Sequence, residues 1–409
     1  MLHDLTRKRM EVAFAQSPPK VWLLMGHKAG DNSQVLALGE ALGWSFEIKR
    51  FVYKRTELLS NLLLGPTLAG VVLDQSSALE APWPDLIITA GRRNEPIARW
   101  IQKQAAAEKH VRIVHCGRSW AKIERFDLIV TTPQYRLPQR PNILHNRTPL
   151  HRVTQERLRA AADQWRPRLR HLPGPYLAVV IGGDSGPFTF DRAAAERLAR
   201  QASRRAKELG ASLLVTTSAR TPRDKITSFE RALEVPAEIF RWSKDATENP
   251  YFGYLALADE IVVTGDSMSM LTEACATRKP VHIFDLGVGR AAMRPEQPAA
   301  PAPAGARGRK VFEPAHLRAF IYRLGMHVGP QRMTRDIRIV HRVLVDSGMA
   351  VWLGDPFPAA SPPGVESVDR AVAEVRRLFE LPDVRGVASE PASEPASRAA
   401  RAEPLRAAS

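Results

Sequence analysis

Cysteine is nearly missing from these 409 residues: only Cys116 and Cys275 occur, and they form no C-x-x-C pair. That excludes a disulfide framework and a thiolate zinc site, and it points to a reducing compartment. No run of the chain approaches the roughly 18 apolar residues of a membrane span. The first twenty residues carry Arg7, Lys8 and Arg9 without a sustained apolar stretch, so a secretory signal is not expected. Aspartates separated by one residue, the D-x-D clamp of many metal-dependent nucleotide-sugar enzymes, are absent, as are His-x-x-x-His pairs. A transferase built from this chain is expected to need no metal and no cofactor, its leaving diphosphate being held by a helix N-terminus and cations. Acidic residues are in deficit, 43 against 59 Lys and Arg, for a net charge of +16. The excess favours phosphates or anionic surfaces as partners, or else belongs to a solvated arginine-rich exterior. No RNP, KH or helix-turn-helix signature accompanies it, so no specific nucleic-acid partner is expected.

What is present is a folded protein's composition, 44% apolar and 25% charged, in a chain long enough for two α/β domains and a tail. Short apolar runs alternate with amphipathic stretches, the rhythm of a parallel sheet. Strands are expected at Val21–Met25, Phe46–Val52, Asp85–Thr89, Val111–His115 and Asp127–Val130, with Gly26–Ser33 a loop and Gln34–Leu42 a helix. After a basic segment, Arg152–Arg170, and a Pro173-Gly174-Pro175 linker, the rhythm restarts. It gives strands at Tyr176–Ile181, Ser212–Thr216, Glu238–Trp242, Glu260–Thr264 and Val281–Phe284, with helices at Arg192–Leu209 and Ser267–Thr277. Val311–Leu353 reads as helical, packing back across both halves; Pro295–Arg309 reads as a mobile loop. The expected fold class is α/β: two Rossmann-like domains facing a cleft, a C-terminal helix packing back, and a disordered tail. The domains are expected at 1–19 (an extension), 20–170, 171–355 and 356–409, the last an Ala/Pro/Arg/Glu-rich tail without apolar periodicity.

The cleft edges carry the polar clusters, where parallel sheets bind ligands. A strand running into Gly265, with a helix opening at Asp266 or Ser267, would offer free N–H groups and a helix dipole to a diphosphate. Ser267 and Ser269 would add hydroxyls, and Glu273, two turns in, a carboxylate for ribose hydroxyls. The alternative is that Asp266 and Ser267 are N-caps and Glu273 a surface charge. Gly182, Gly183, Asp184 and Ser185 form a second candidate anion cradle, or a tight strand–helix turn; they match neither a Walker A loop nor G-x-G-x-x-G. Ser218 and Arg220 lie on the next loop, Arg220 as a phosphate partner or a surface cation. In the first half, His27 and Asp31 are candidate general bases for an acceptor hydroxyl, with Lys28, Asn32, Arg92 and Arg93 as acceptor-binding groups. Here too Asp31 or Asn32 is alternatively a helix N-cap. Phe51–Arg55 leading into the interrupted apolar stretch Leu58–Leu73 suits a membrane-surface contact, or a core helix with its loop.

With these residues in place, the chain resembles the bacterial relatives of the plant "elongated mitochondria" fission family. The resemblance spans roughly Val21–Asp355. It rests on Gly30–Gln34, Ala90–Arg93, Thr131–Pro138, Gly182–Ser185, Thr217–Pro222, Asn249–Tyr251 and Thr264–Ser267 through Glu273–Cys275. Members of that family look like GT-B glycosyltransferases, and bacterial ones are sometimes labelled nucleoside-diphosphate-sugar epimerases. The chain departs from the family at Gly26-His27 and Ala29-Gly30, where others often carry an acidic residue and a Pro-Gly pair, and at Ala219, where many carry Arg. The resemblance implies a glycosyltransferase that takes a nucleotide diphosphate-sugar in its C-terminal half and a cell-envelope or lipid-linked acceptor in its basic N-terminal half. Alternatives are a nucleotide-sugar epimerase of the same fold and a non-catalytic adaptor. The expected location is cytoplasmic, peripheral at the inner face of the plasma membrane, with anionic lipid or envelope glycolipid as partner.

Overall fold

In the computed structural model, the residues described are 18–54, 65–288, 292–294, 319, 321–322, 334–358, 362–366 and 368–380. They form two six-stranded sheets in which every paired strand is parallel. The first holds β1 (Val21–Met25), β2 (Phe46–Arg50), β3 (Leu86–Ala90), β4 (Arg112–Cys116), β5 (Leu128–Thr131) and β6 (Ile143–His145) in the order β2-β1-β3-β4-β5-β6. The second holds β7 (Tyr176–Val180), β8 (Ser212–Thr216), β9 (Ala237–Phe240), β10 (Glu260–Thr264), β11 (Val281–Phe284) and β12 (Val351–Trp352) in the order β12-β11-β10-β7-β8-β9. Central strands such as β1, β3, β8 and β10 are buried along their whole length, which is why they read as apolar runs without alternation.

Helices cover the faces of the sheets. They are α1 (Ala29–Leu42), α2 (Glu95–Ala105), α3 (Gln155–Trp165), α4 (Arg192–Leu209), α5 (Arg223–Arg231), α6 (Tyr251–Leu257), α7 (Met268–Ala276), α8 (Arg338–Asp346) and α9 (Asp369–Glu380). α1 begins five residues earlier than the sequence suggests, so Asp31 and Asn32 lie in its first turn instead of in a loop. Its N-cap is Lys28, not Asp31 or Asn32. α3 follows the first sheet in sequence but packs on the second half. Leu158 joins that half's core, Trp165 meets the Tyr254 ring edge-on at 6.2 Å, and Gly253 of α6 leaves room for the Trp165 indole.

The tail read as unstructured from Pro356 onward contains α9. Its buried face, Ala371, Val372 and Val375, closes the core of the first half beneath α1. Phe379 stacks edge-on against Trp44 at 5.3 Å, and the Arg112 guanidinium lies 4.6 Å from its ring. The error has a clear physical source: three small or β-branched apolar residues at i, i+1 and i+4 are a narrow stripe in an arginine-rich sequence. Within Val311–Leu353 the described part is α8 and then β12, so the stretch is not one continuous helix. Residues 1–17, 55–64, 295–318 and 381–409, which include part of the expected membrane-contact stretch and the Pro/Ala-rich loop, lie outside the described residues.

Candidate functional site

Each sheet has one point where the strand order reverses direction, between β1 and β3 in the first half and between β7 and β10 in the second. Loops leaving the two strands at such a point part company and open a crevice. The two crevices face each other. A Cβ placed on Gly30 at the start of α1 would lie 2.8 Å from the Ser269 hydroxyl at the start of α7. The two helices therefore meet N-terminus to N-terminus, and no side chain caps either one. The contact continues one turn further in, where Ser33 meets Glu273, and the uncapped first-turn N–H groups and the dipole at each helix end favour an anion beside them.

In the second half, Asp266 is the hub. It is 1% exposed and sits ahead of the helix, whose N-cap is Ser267. Its carboxylate accepts from the Thr264 hydroxyl at 2.6 Å and from the Gly183 N–H at 3.0 Å, and it pairs with Arg220 at 2.8 Å. A Cβ on Gly182 would collide with that carboxylate, so glycine there is a packing requirement. The Gly182 N–H goes to Thr264 Oγ1 at 2.8 Å and the Ser185 N–H to the Phe188 carbonyl at 2.9 Å. Asp184 accepts from the Phe190 N–H, and its carbonyl takes Arg220 Nη1 at 3.1 Å. Ser218 and Thr221 both donate to the Gly182 carbonyl. Three of the four N–H groups of Gly182–Ser185 are thus engaged inside the protein, and the loop is knitted to its neighbours by the same residues expected to grip phosphate. His341, missed by sequence reading, lies buried beneath this turn and donates to the Gly265 carbonyl at 2.6 Å. Burial holds its pKa near 4, so it stays neutral there.

Glu273 is 6% exposed on α7, not a surface charge. One oxygen accepts from the Tyr251 hydroxyl at 2.7 Å and the other from the Ser33 hydroxyl of α1, 3.0 Å away across the interface of the halves. Burial raises its pKa, opposed by those two hydrogen bonds and by Arg152 and Arg157. A second bridge between the halves joins Arg136 to Asp336 at 3.0 Å and Arg335 to Gln134 at 3.1 Å.

In the first half the residues divide sharply. Asn32 grips both backbone groups of Gly26, accepting its N–H at 2.8 Å and donating to its carbonyl at 2.9 Å, so it shapes the loop and has little left for a ligand. His27 is exposed; partial burial and the charges of Arg93 and Lys28 push its pKa down to about 4. It meets the Tyr53 ring edge-on at 6.1 Å, and Arg93 covers that ring at 5.3 Å. Arg92 turns the other way and stacks on Trp120 at 4.6 Å. Asp31 lies against Gly91: a Cβ there would stand 2.8 Å from its Oδ2, and Gly91 has φ +78°. Among the described residues no hydrogen bond or ion pair satisfies the Asp31 carboxylate. Burial raises its pKa, against the pull of Lys28 and Arg335. Tyr135, whose pKa the Asp31 charge helps to raise, lies nearby and was not singled out by motif reasoning, although it falls inside the Thr131–Pro138 signature.

Two facing α/β halves with opposed switch-point crevices and a C-terminal helix returning to the first half define a GT-B-like protein. The family described as Mitochondrial fission ELM1 matches residues 29–295, well over half of the chain, and the chain belongs to that family. The mitochondrial fission protein ELM1 of Arabidopsis thaliana is 26% identical over 243 residues, covering 54% of this chain and 56% of the plant protein. The chain therefore spans little more than half the length of that relative. An uncharacterized protein of Rickettsia prowazekii (strain Madrid E) is 25% identical over 299 residues, covering 64% of this chain and 82% of its own. Solved structures with a similar course include a UDP-GlcNAc 2-epimerase from Neisseria meningitidis bound to UDP-GlcNAc, with 11% identity, TM-score 0.39 and coverage of 80% of this chain and 98% of that one. A glycosyltransferase from Rickettsia africae ESF-5 shows 10% identity, TM-score 0.38 and coverage of 89% and 98%. Among the described residues no helix is long and apolar enough to cross a membrane, and no group of three His, Cys, Asp or Glu side chains is placed to share a metal ion.

Proposed function

We propose that this chain transfers a sugar from a nucleotide diphosphate-sugar to an acceptor hydroxyl, the diphosphate lying between the N-termini of α7 and α1. The observation that carries the reading is the Asp31 carboxylate, unpartnered among the described residues and raised in pKa, at the crevice that faces uncapped Ser267 and Ser269. A carboxylate whose proton affinity is lifted by burial is suited to take a hydroxyl proton as the sugar moves. His27, its pKa pushed down to about 4 by partial burial and by Arg93 and Lys28, is poorly suited to that role. In this reading Glu273 exchanges its Ser33 and Tyr251 hydrogen bonds for ribose hydroxyls when nucleotide enters, and Arg220, 41% exposed while still paired to Asp266, lends charge to the diphosphate.

Calorimetric titration with UDP, GDP and ADP tests the reading. One of the three is expected to bind, and Glu273→Ala is expected to weaken it by about tenfold, the worth of a charge-assisted hydrogen bond. Absence of binding by all three, or an unchanged affinity in Glu273→Ala, overturns it. One observation favours a second reading, a non-catalytic adaptor that keeps the fold: both Glu273 oxygens and most N–H groups of Gly182–Ser185 already have partners within the chain. Nucleotide binding without hydrolysis or transfer across a panel of envelope glycolipid acceptors, presented in anionic vesicles at the membrane surface, would select that reading.

A further inference from the structure

Beside the first half's crevice lies a cavity of about 300 Å³ that none of the roles above uses. Arg92, Arg99, Lys122 and Arg125 line it, with Trp120 and Glu95. The side chains of Arg99, Lys122 and Arg125 make no ion pair or hydrogen bond among the described residues. Trp120 is covered by two guanidiniums, Arg92 at 4.6 Å and Arg118 at 4.5 Å. The lone carboxylate of the lining, Glu95, is turned to the protein. It is 3% exposed and accepts the N–H groups of Trp120 and Ala121 at 2.8 Å each. Burial and then the charge of Arg125 depress the pKa of Arg99, against the pull of Glu95, so two like charges are held close in this lining. The cavity is also well placed. Arg92 is the residue after Gly91, against which the Asp31 carboxylate rests.

We infer that this cavity is a binding subsite for a phosphate or diphosphate group, carried by the acceptor whose hydroxyl reaches Asp31. Several cationic side chains around one concave site favour a multiply charged anion over a single carboxylate, because each further charge on the anion can meet another guanidinium or ammonium group. The role as acceptor subsite rests on the transferase reading; the anion binding itself does not.

Inorganic pyrophosphate is the probe, titrated calorimetrically into the full chain. Arg99→Gln/Arg125→Gln is expected to weaken binding by at least about tenfold while leaving nucleotide affinity unchanged. The control removes equal charge elsewhere: Arg200→Gln/Arg204→Gln, from a basic groove of about 280 Å³ along α4, is expected to change nothing. Equal loss in both double variants, or no loss in the first, overturns the inference. Thermal melts of both variants exclude misfolding as the cause. Phosphatidate vesicles set against phosphatidylcholine vesicles then identify the source. Competition with pyrophosphate by the former places the phosphate on a lipid headgroup, and its absence places it on a soluble ester. A wild-type chain that binds pyrophosphate at this cavity but no nucleotide would refute the transferase reading and leave the subsite standing.

Discussion

Asp31 and Asp266 occupy matching places in the two halves. Each follows one strand of its sheet's switch-point pair, and each presses against a glycine that follows the other strand, Gly91 in one case and Gly182 in the other. Their surroundings are opposite. Asp266 is fully enclosed, paired with Arg220 and bonded to Thr264 and Gly183, and its negative charge is matched on every side. Asp31 has no such partners among the described residues, and burial makes its ionised form costly. The same local construction has been used once to hold a turn together and once to keep a carboxylate reactive. A sequence alone cannot tell the two apart, since both read as a strand, a polar loop and a helix.

The contrast is open to direct test. Asp266→Ala is expected to cost about 3–5 kcal/mol in urea-induced unfolding, because it strands Arg220, the Thr264 hydroxyl and the Gly183 N–H together. A loss under about 1 kcal/mol would erase the distinction drawn between the aspartates. Asp31→Asn is expected to lower turnover by about a hundredfold or more, if transfer is assayed, while leaving stability at neutral pH no worse than wild type. The sign follows from its raised pKa. A carboxyl that binds protons more readily folded than unfolded stabilises the protein at low pH, and that contribution is lost as pH rises from the ordinary aspartate value of 3.8 through the raised folded pKa. Removing the ionisable group removes the loss. Smaller effects are expected at the latch between halves: Ser33→Ala takes one hydrogen bond from Glu273 and should cost about 1 kcal/mol, read from the unfolding midpoint. Smallest is His27, whose ring should titrate near pH 4 by NMR and move upward in Arg93→Gln, since Arg93 is one of the charges that depress it.

Much of the architecture was legible in advance. β1, β8, β10 and β11 fall on the residues expected from apolar runs alone, as does α4. What escaped is short or amphiphilic: β6 has three residues, β12 two, and neither makes a run long enough to stand out. α6 is seven residues with two tyrosines, and α9 hides its stripe among arginines. The loops that carry the candidate residues were legible in the sequence; their internal bonding was not. Strand–loop–helix grammar located both crevices, yet Asn32 and the Gly182–Ser185 loop proved to be occupied with their own backbone. Asn32 reaches back only six positions, but the bonds of Gly182 and Gly183 run to Thr264 and Asp266, more than eighty positions away, which no local pattern encodes.

The chain crosses between its halves twice, once after β6 and again on the way to α9. The two crossings touch: the Arg147 N–H on the first donates to the Glu366 carboxylate on the second at 2.9 Å. A body tethered by a single thread can turn in any sense. Two threads fixed side by side leave one easy direction, a swing about the line that joins them, and resist twist and slide. Opening of the crevices toward each other is thereby reduced to a single mechanical coordinate, with Glu273 and Ser33 as its catch.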